Sequence, residues 1–161
     1  MKDFRTGFGY DVHAFGDDRK LVLGGVEIPH SQGLIGHSDA DALSHALIDS
    51  LLGAAALGDI GSHFPDTDLR YRDISSMALL EITYYLLKKH DFEISNIDCT
   101  LVLEKPKLSN FINTIRLSIS SCLKLDIKRV SVKAKTNEGF GFEGREEGVT
   151  AYASCLIYSD C

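Results

Sequence analysis

GYDVH at residues 9–13 and HSDADALSHALIDSLLGAAAL at residues 37–57 are the stretches that decide the fold. Residues 4–15, around the first stretch, are rich in aromatic residues and glycine and predict a β-strand. Apolar residues recur at helical spacing over residues 41–57, which predicts a helix with one buried side. Its apolar stripe consists of Ala42, Leu43, Ala46, Leu47, Leu51 and Ala54.

The same two stretches offer three candidate ligands for one divalent metal ion. Asp11 and His13 lie two residues apart on the predicted strand and therefore project from the same face. His45 lies on the predicted helix. Three protein ligands with an open fourth position are typical of a catalytic rather than a structural zinc site. The pattern therefore predicts a metal centre where this strand and this helix meet.

Asp41, His45 and Asp49 follow one another at four-residue spacing and form one stripe of the helix. Two interpretations stay open for this stripe. It is either a solvated polar face, or an imidazole ligand flanked by carboxylates that orient it. Ser38 or Asp39 is expected to cap the helix, with Asp41 in its first turn.

Length and composition limit the classes of protein that fit. A chain of 161 residues predicts a single domain over residues 1–161. The net charge of −6 and the absence of a basic run argue against a nucleic-acid partner. No apolar run reaches membrane-spanning length, and the first residues lack a secretory signal. We therefore expect a cytoplasmic protein without a membrane partner.

The remaining pattern predicts an α+β fold, with a β-sheet and helices packed on one of its faces. The further strands are expected at residues 20–28 (broken at Gly24-Gly25), 94–104, 129–136 and 148–158, the further helices at 74–89 and 109–123, and a long loop at 58–73. The sheet face opposite the helices is mixed, too apolar for open water and too polar for a core, and suits a subunit interface. It carries Thr100, Val102, Glu104, Tyr152 and Leu156.

The cysteines predict no catalytic or disulfide role. Cys99 and Cys155 lie within apolar strand patterns and are expected to be core residues in a reducing compartment. The chain also lacks the motif of a serine nucleophile, a P-loop and a dinucleotide fingerprint. Covalent catalysis by a protein nucleophile therefore has no support.

Several blocks together resemble the 2-C-methyl-D-erythritol 2,4-cyclodiphosphate synthase family, over about residues 6–158. The blocks are GYDVHAF, LGGVEIP, GLIGHSDADALSHALIDSLLGAAALGDIGSHFPDTD, the KPK turn at 105–107 and GFGFEGREEG. The resemblance implies cyclisation of 4-diphosphocytidyl-2-C-methyl-D-erythritol 2-phosphate with release of CMP, a phosphorus–oxygen lyase reaction of the non-mevalonate route to isoprenoid precursors. It also implies a mixed sheet, a homotrimer in which the sheets face each other, and active sites between subunits.

The resemblance assigns catalytic roles to five residues. It implies that Asp11, His13 and His45 hold Zn²⁺. Glu138 would hold a second ion, Mg²⁺ or Mn²⁺, between the phosphates, and the Thr136 hydroxyl would contact the α-phosphate.

Further positions are implied to bind the cytidylyl diphosphate substrate. Asp59 and Gly61 would lie at the ribose, and Lys107, Leu108 and Ala134 within a cytosine pocket that includes residues 103–109. The methylerythritol-phosphate end would be bound by His37, Ser38, Phe64 and Asp66. The set also includes Phe142 and Arg145, and Arg145 would line the trimer channel. The chain departs from the family pattern at Ala40, where Gly is frequent, and at Lys135 and Asn137 beside Thr136.

Two other functions remain open from the sequence. A zinc-dependent phosphodiesterase would use the same metal ligands but would attack its substrate with water. A non-catalytic trimer that binds metal or nucleotide would turn nothing over. Analysis of the reaction products separates all three.

Overall fold

The computed structural model describes residues 1–36, 38–65, 67–71 and 74–160. Its strands are β1 (Lys2–Gly16), β2 (Leu21–Leu23), β3 (Val26–Ile28), β4 (Gly33–Leu34), β5 (Glu93–Val102), β6 (Val130–Lys135) and β7 (Gly148–Asp160). Five of them form one sheet in the order β4-β1-β7-β5-β6 within the described chain. β1 pairs antiparallel with β7, and β7 with β5, whereas β5 and β6 run parallel. The predicted mixed sheet is therefore confirmed.

The break predicted at Gly24-Gly25 is the turn of a separate hairpin, in which β2 pairs with β3. Both glycines have positive φ angles, 58° and 73°. A two-residue hairpin turn of this kind requires left-handed backbone at both central positions, where glycine carries no steric penalty.

The helices are α1 (Ala42–Ala54), α2 (Ile60–His63), α3 (Ser76–Lys89), α4 (Ile112–Cys122) and α5 (Gly141–Gly144). α1 packs against β1 and β7 on one side and against α3 on the other. The predicted apolar stripe of α1 is confirmed, but burial also extends to the polar Ser44 and Ser50. The helix is buried on nearly every side because both of its faces are covered.

Two glycines of β1 let α1 lie directly on the sheet. A Cβ atom on Gly7 would lie 1.9 Å from the carbonyl oxygen of Ser50, and one on Gly9 would lie 1.9 Å from that of Ala46. Side chains alternate along a strand, so Asp11 and His13 continue the same helix-facing row. The close approach of backbone to backbone therefore brings these two side chains beside α1.

The opposite face of the sheet is open and strongly apolar. Phe4, Phe8 and Tyr10 of β1 are 57%, 68% and 47% exposed. They continue the apolar surface that the sequence predicts around Tyr152, whose ring lies 5.4 Å from that of Tyr10. The α+β class with helices on one face is confirmed. No helix in the described ranges is both long and apolar enough to span a membrane.

Three local predictions need correction. The segment predicted as a loop at 58–73 contains α2 and a 3₁₀ turn at Leu69–Tyr71. α2 forms because the Asp59 side chain accepts a hydrogen bond from the Ser62 amide and caps its first turn. α1 ends at Ala54, well before residue 57. Its N-cap is Asp41 and not Ser38 or Asp39, so Asp41 precedes the first turn instead of lying in it.

Cys99 and Cys155 are buried and carry free thiols, which confirms their expected place in the core. Burial raises the pKa of the Cys99 thiol to about 12. Burial also raises the pKa of the Cys155 thiol, so neither side chain is available as a thiolate nucleophile at neutral pH.

Candidate metal centre and nucleotide cleft

Asp11, His13 and His45 converge where β1 meets α1. The Asp11 Oδ2 atom lies 3.0 Å from His13 Nε2 and 3.0 Å from His45 Nδ1. The two imidazole nitrogens are 3.3 Å apart. Ligand atoms bound tetrahedrally to zinc at 2.0–2.1 Å lie about 3.3 Å from one another. The three atoms are therefore already spaced as a metal ion requires, and the donor set of one carboxylate and two imidazoles suits zinc.

Hydrogen bonds on the outer side of each imidazole decide which nitrogen faces the centre. His13 Nδ1 donates to the carbonyl oxygen of Ile35 at 2.6 Å. His45 Nε2 lies 2.8 Å from the Ser76 hydroxyl and 3.3 Å from that of Ser38. The inner nitrogens, Nε2 of His13 and Nδ1 of His45, face the centre. They can donate to Asp11 when no ion is present and can direct their lone pairs at a metal ion when one is bound.

The charge at the centre also favours a cation. Burial acts to raise the pKa of Asp11, but hydrogen bonds with His13 and His45 outweigh it and lower the pKa to about 2. For His13, burial acts to lower the pKa, and the hydrogen bond with Asp11 raises it overall. The Asp11 carboxylate is therefore ionised at neutral pH and attracts positive charge at this position.

The stripe of carboxylates on α1 has a different role from the one that sequence spacing suggests. Asp41 is fully buried and accepts hydrogen bonds from the amides of Gly24 and Gly25 at 2.8 and 2.7 Å. Asp49 accepts from the Ile60 amide at 2.7 Å. The two carboxylates hold the hairpin turn and α2 against α1, so the interpretation that they orient His45 is wrong.

A second candidate site lies at the ends of β5 and β6, beside α4. It is a cleft of about 520 Å³, within the size range of small-molecule sites. Five residues that the resemblance assigns to substrate or metal line it together, namely Lys107, Leu108, Ala134, Thr136 and Glu138. The Thr136 hydroxyl donates to the Glu138 carboxylate, so these two side chains already meet at the mouth of the cleft.

The turn that carries Glu138 has an unusual backbone and a buried support. Glu138 adopts a φ of 52°, a left-handed conformation that is costly for a residue other than glycine. Glu143 is buried and accepts hydrogen bonds from Asn137 Nδ2 at 3.1 Å and from the Thr150 hydroxyl at 2.8 Å. It therefore ties the turn to β7. Glu143 is not among the residues predicted from the sequence, because the sequence does not distinguish it from the other acids of the same Gly-rich segment, and only the structure shows that it is buried.

The metal centre and the cleft are well separated within one chain. His13 of β1 pairs with Val149 of β7. The next residue of β7, Thr150, pairs with Val102 of β5, and Val102 pairs with Lys135 of β6. His13 and Lys135 thus lie on nearly the same row of the sheet, three strand spacings or about 14 Å apart.

Of the other predicted substrate residues, Ser38 lies beside His45, whereas Asp59, Gly61, Phe64, Phe142 and Arg145 lie outside both sites. Asp59 is the exposed cap of α2, in which Gly61 lies. Phe64 is 7% exposed and packs edge-on against Tyr71, with ring centroids 5.3 Å apart. Arg145 is exposed and forms an ion pair with Glu147 at 2.8 Å. Phe142 is half-buried within α5, and His37 and Asp66 lie outside the described residues.

Comparison with known proteins supplies the family. The model of the YgbB family matches residues 4–158. The chain belongs to the YgbB family. Together with the curated relatives described next, this confirms the resemblance inferred from the sequence blocks.

Curated relatives of this family member cover nearly all of its length. It is 58% identical over 153 residues to the 2-C-methyl-D-erythritol 2,4-cyclodiphosphate synthase of Brachyspira hyodysenteriae, covering 95% of this chain and 97% of the relative. It is 59% identical over 153 residues to the synthase of the same name from Chlorobium phaeobacteroides, with the same coverage of 95% and 97%.

Solved structures of the family share the fold. The bifunctional IspDF of Campylobacter jejuni matches with a TM-score of 0.95 and 42% identity, covering 99% of this chain and 43% of the longer one. A 2C-methyl-D-erythritol-2,4-cyclodiphosphate synthase in its CDP-bound form matches with a TM-score of 0.88 and 37% identity, covering 95% and 99%. The CDP complex of IspF from Plasmodium falciparum matches with a TM-score of 0.85 and 33% identity, covering 98% and 97%.

Proposed function

We propose that this protein cyclises 4-diphosphocytidyl-2-C-methyl-D-erythritol 2-phosphate to 2-C-methyl-D-erythritol 2,4-cyclodiphosphate and releases CMP. The observation that carries the proposal is the prearranged centre of Asp11, His13 and His45, in a chain whose relatives carry this synthase name. Solved relatives bound to CDP support a cytidine diphosphate substrate.

Each site has a distinct role in this proposal. Asp11, His13 and His45 would hold zinc, and Glu138 would hold magnesium or manganese next to the Thr136 hydroxyl. When bound, the two cations supply positive charge to the diphosphate and make its β-phosphorus more electrophilic. The cleft beside Leu108 and Ala134 would take the cytidine end of the substrate, where an apolar floor suits a nucleobase.

The reaction needs positioning more than covalent help from the protein. The 2-phosphate oxygen of the substrate forms a new bond to the β-phosphorus, and the bond between that phosphorus and the oxygen bridging to CMP breaks. CMP leaves with that oxygen, and no water enters the product, which makes the enzyme a phosphorus–oxygen lyase. Holding both ends of one molecule in line provides most of the rate enhancement in such a transfer.

We further propose that the active unit is a homotrimer in which each active site joins the metal centre of one subunit to the cleft of its neighbour. Two ions that share one diphosphate must lie within a few ångströms of each other, but the strands that carry the two sites, β1 and β6, are about 14 Å apart across the sheet of one chain. The exposed apolar face around Phe8 and Tyr152 provides a surface for association.

An assay of the purified protein tests the proposal. With the cytidylyl substrate, zinc and magnesium in water enriched in ¹⁸O, we expect CMP and an unlabelled cyclic diphosphate. A zinc-dependent phosphodiesterase would instead give a linear phosphate that carries ¹⁸O. A binding module would release no CMP at all. Either of these results would overturn the proposal.

A further inference from the structure

Outside the proposed metal ligands, a buried serine and a carboxylate form a chain that ends on His45. Ser76, the first residue of α3, is fully buried, and its hydroxyl lies 2.8 Å from His45 Nε2. Asp39 binds the same serine twice. One carboxylate oxygen accepts from the Ser76 hydroxyl, and the other accepts from its backbone amide at 2.9 Å.

The direction of these hydrogen bonds determines the form of the imidazole. A serine hydroxyl has one proton, and Ser76 donates it to the Asp39 carboxylate, which can only accept. The Ser76 oxygen must therefore accept from His45 Nε2–H. That leaves the proton of a neutral His45 on Nε2 and its lone pair on Nδ1, 3.0 Å from Asp11 Oδ2 and facing the centre.

We propose that Ser76, held by Asp39, is a positioning residue that fixes the ring orientation and tautomer of the metal ligand His45. The inference rests on the metal centre of the proposed function and extends it to the N-terminus of α3. Hydrogen-bonded partners behind a metal-bound histidine typically contribute 10- to 100-fold to metal affinity.

The same chain connects the metal centre to a predicted substrate residue. The Ser38 hydroxyl lies 3.3 Å from His45 Nε2 and 3.5 Å from the Ser76 hydroxyl. Asp39 follows Ser38 in the loop before α1, and its carboxylate accepts a hydrogen bond from the Ser76 amide at the start of α3. The loop before α1 and the first turn of α3 are thus linked at His45.

Zinc affinity, measured by competition with a chromophoric chelator, tests the inference. We expect Ser76→Ala to bind zinc about 10- to 100-fold more weakly than the unmodified protein. Ser76→Thr keeps the hydroxyl and should bind more tightly than Ser76→Ala. The matched control is Ser75→Ala, because Ser75 is exposed and caps the same helix without contacting His45. Its zinc affinity should stay within about twofold of the unmodified protein.

A second measurement on the metal-free protein reads the tautomer directly. In long-range ¹H–¹⁵N spectra, His45 Nε2 should carry a proton in the unmodified protein. Ser76→Ala should shift that proton towards Nδ1, where the Asp11 carboxylate can accept it. Asp39→Asn provides the same readout if Ser76→Ala does not fold. A single unchanged tautomer with unchanged zinc affinity would overturn the inference. If the unmodified protein itself bound no zinc, the proposed function would fail instead.

Discussion

The metal centre and the nucleotide cleft of this chain are built in opposite ways. The metal centre joins a long strand to a buried helix, and its three ligand atoms already lie 3.0–3.3 Å apart. The cleft lies at strand ends and turns, and Glu138 at its mouth is exposed and bonded to Thr136. Groups that must be placed accurately are held by rigid elements, whereas binding surfaces are often carried by turns and strand ends. One chain completes the proposed metal centre, whereas we propose that its cleft serves the metal centre of a neighbouring subunit.

The largest effect should follow from loss of a ligand at the metal centre. We expect His45→Ala to lose bound zinc and to reduce turnover about a thousandfold or more, since a bound metal contributes several kcal/mol of charge stabilisation. Elemental analysis and CMP release measure the two effects, and size-exclusion chromatography checks that the oligomer persists. Full zinc content in this variant would remove the assignment of His45 as a ligand.

A smaller loss is expected from the corresponding change at the cleft. Glu138→Gln keeps the shape of the side chain but removes its charge. Turnover should fall about a hundredfold, the size of effect seen when one preorganised electrostatic contact is lost. The magnesium titration should shift to higher concentration while the zinc content stays constant. An unchanged magnesium titration would contradict the separation of metals between the two sites.

The rigidity of the metal centre depends on how closely α1 approaches β1. Gly9→Ala would place a methyl group 1.9 Å from the carbonyl oxygen of Ala46, so the helix must shift. We expect a loss of about 1–3 kcal/mol in the free energy of unfolding, together with weaker zinc binding.

The matched control for this change is Gly53→Ala on α1, where an added Cβ meets nothing within 4 Å. Because alanine favours the helix, this variant should be slightly more stable, with unchanged zinc affinity. Denaturant unfolding and chelator competition measure both variants. Equal behaviour of the two would mean that close packing does not position the ligands.

The mildest test asks whether the two sites join across subunits. His45→Ala and Glu138→Ala chains should each be inactive alone. In trimers refolded from equal amounts, about one site in four should combine an intact metal centre with an intact cleft, so activity should return to about a quarter of normal. Native mass spectrometry confirms that mixed trimers form. If they form without any recovery, each site is built within one chain.

The residue pattern alone predicted the strand and the helix that carry the proposed metal ligands. Two-residue alternation places Asp11 and His13 on one face of β1, and helical spacing predicts the buried stripe of α1 that includes Leu47 and Leu51. Both periodicities follow from local backbone geometry, so they can be read without knowledge of the packing. The cleft residues, by contrast, were assigned by family resemblance, because backbone-lined pockets leave little pattern in side-chain types.

Only the tertiary structure decided what surrounds each ligand. Spacing suggested Asp41 and Asp49 as the partners of His45, yet Asp41 binds the hairpin turn, and Ser76 takes the position next to the imidazole. Ser76 lies 31 residues from His45 in the chain, and no local pattern connects them. Hydrogen bonds between distant segments depend on how helices dock on the sheet, and docking is set by contacts such as that of Gly9 with α1.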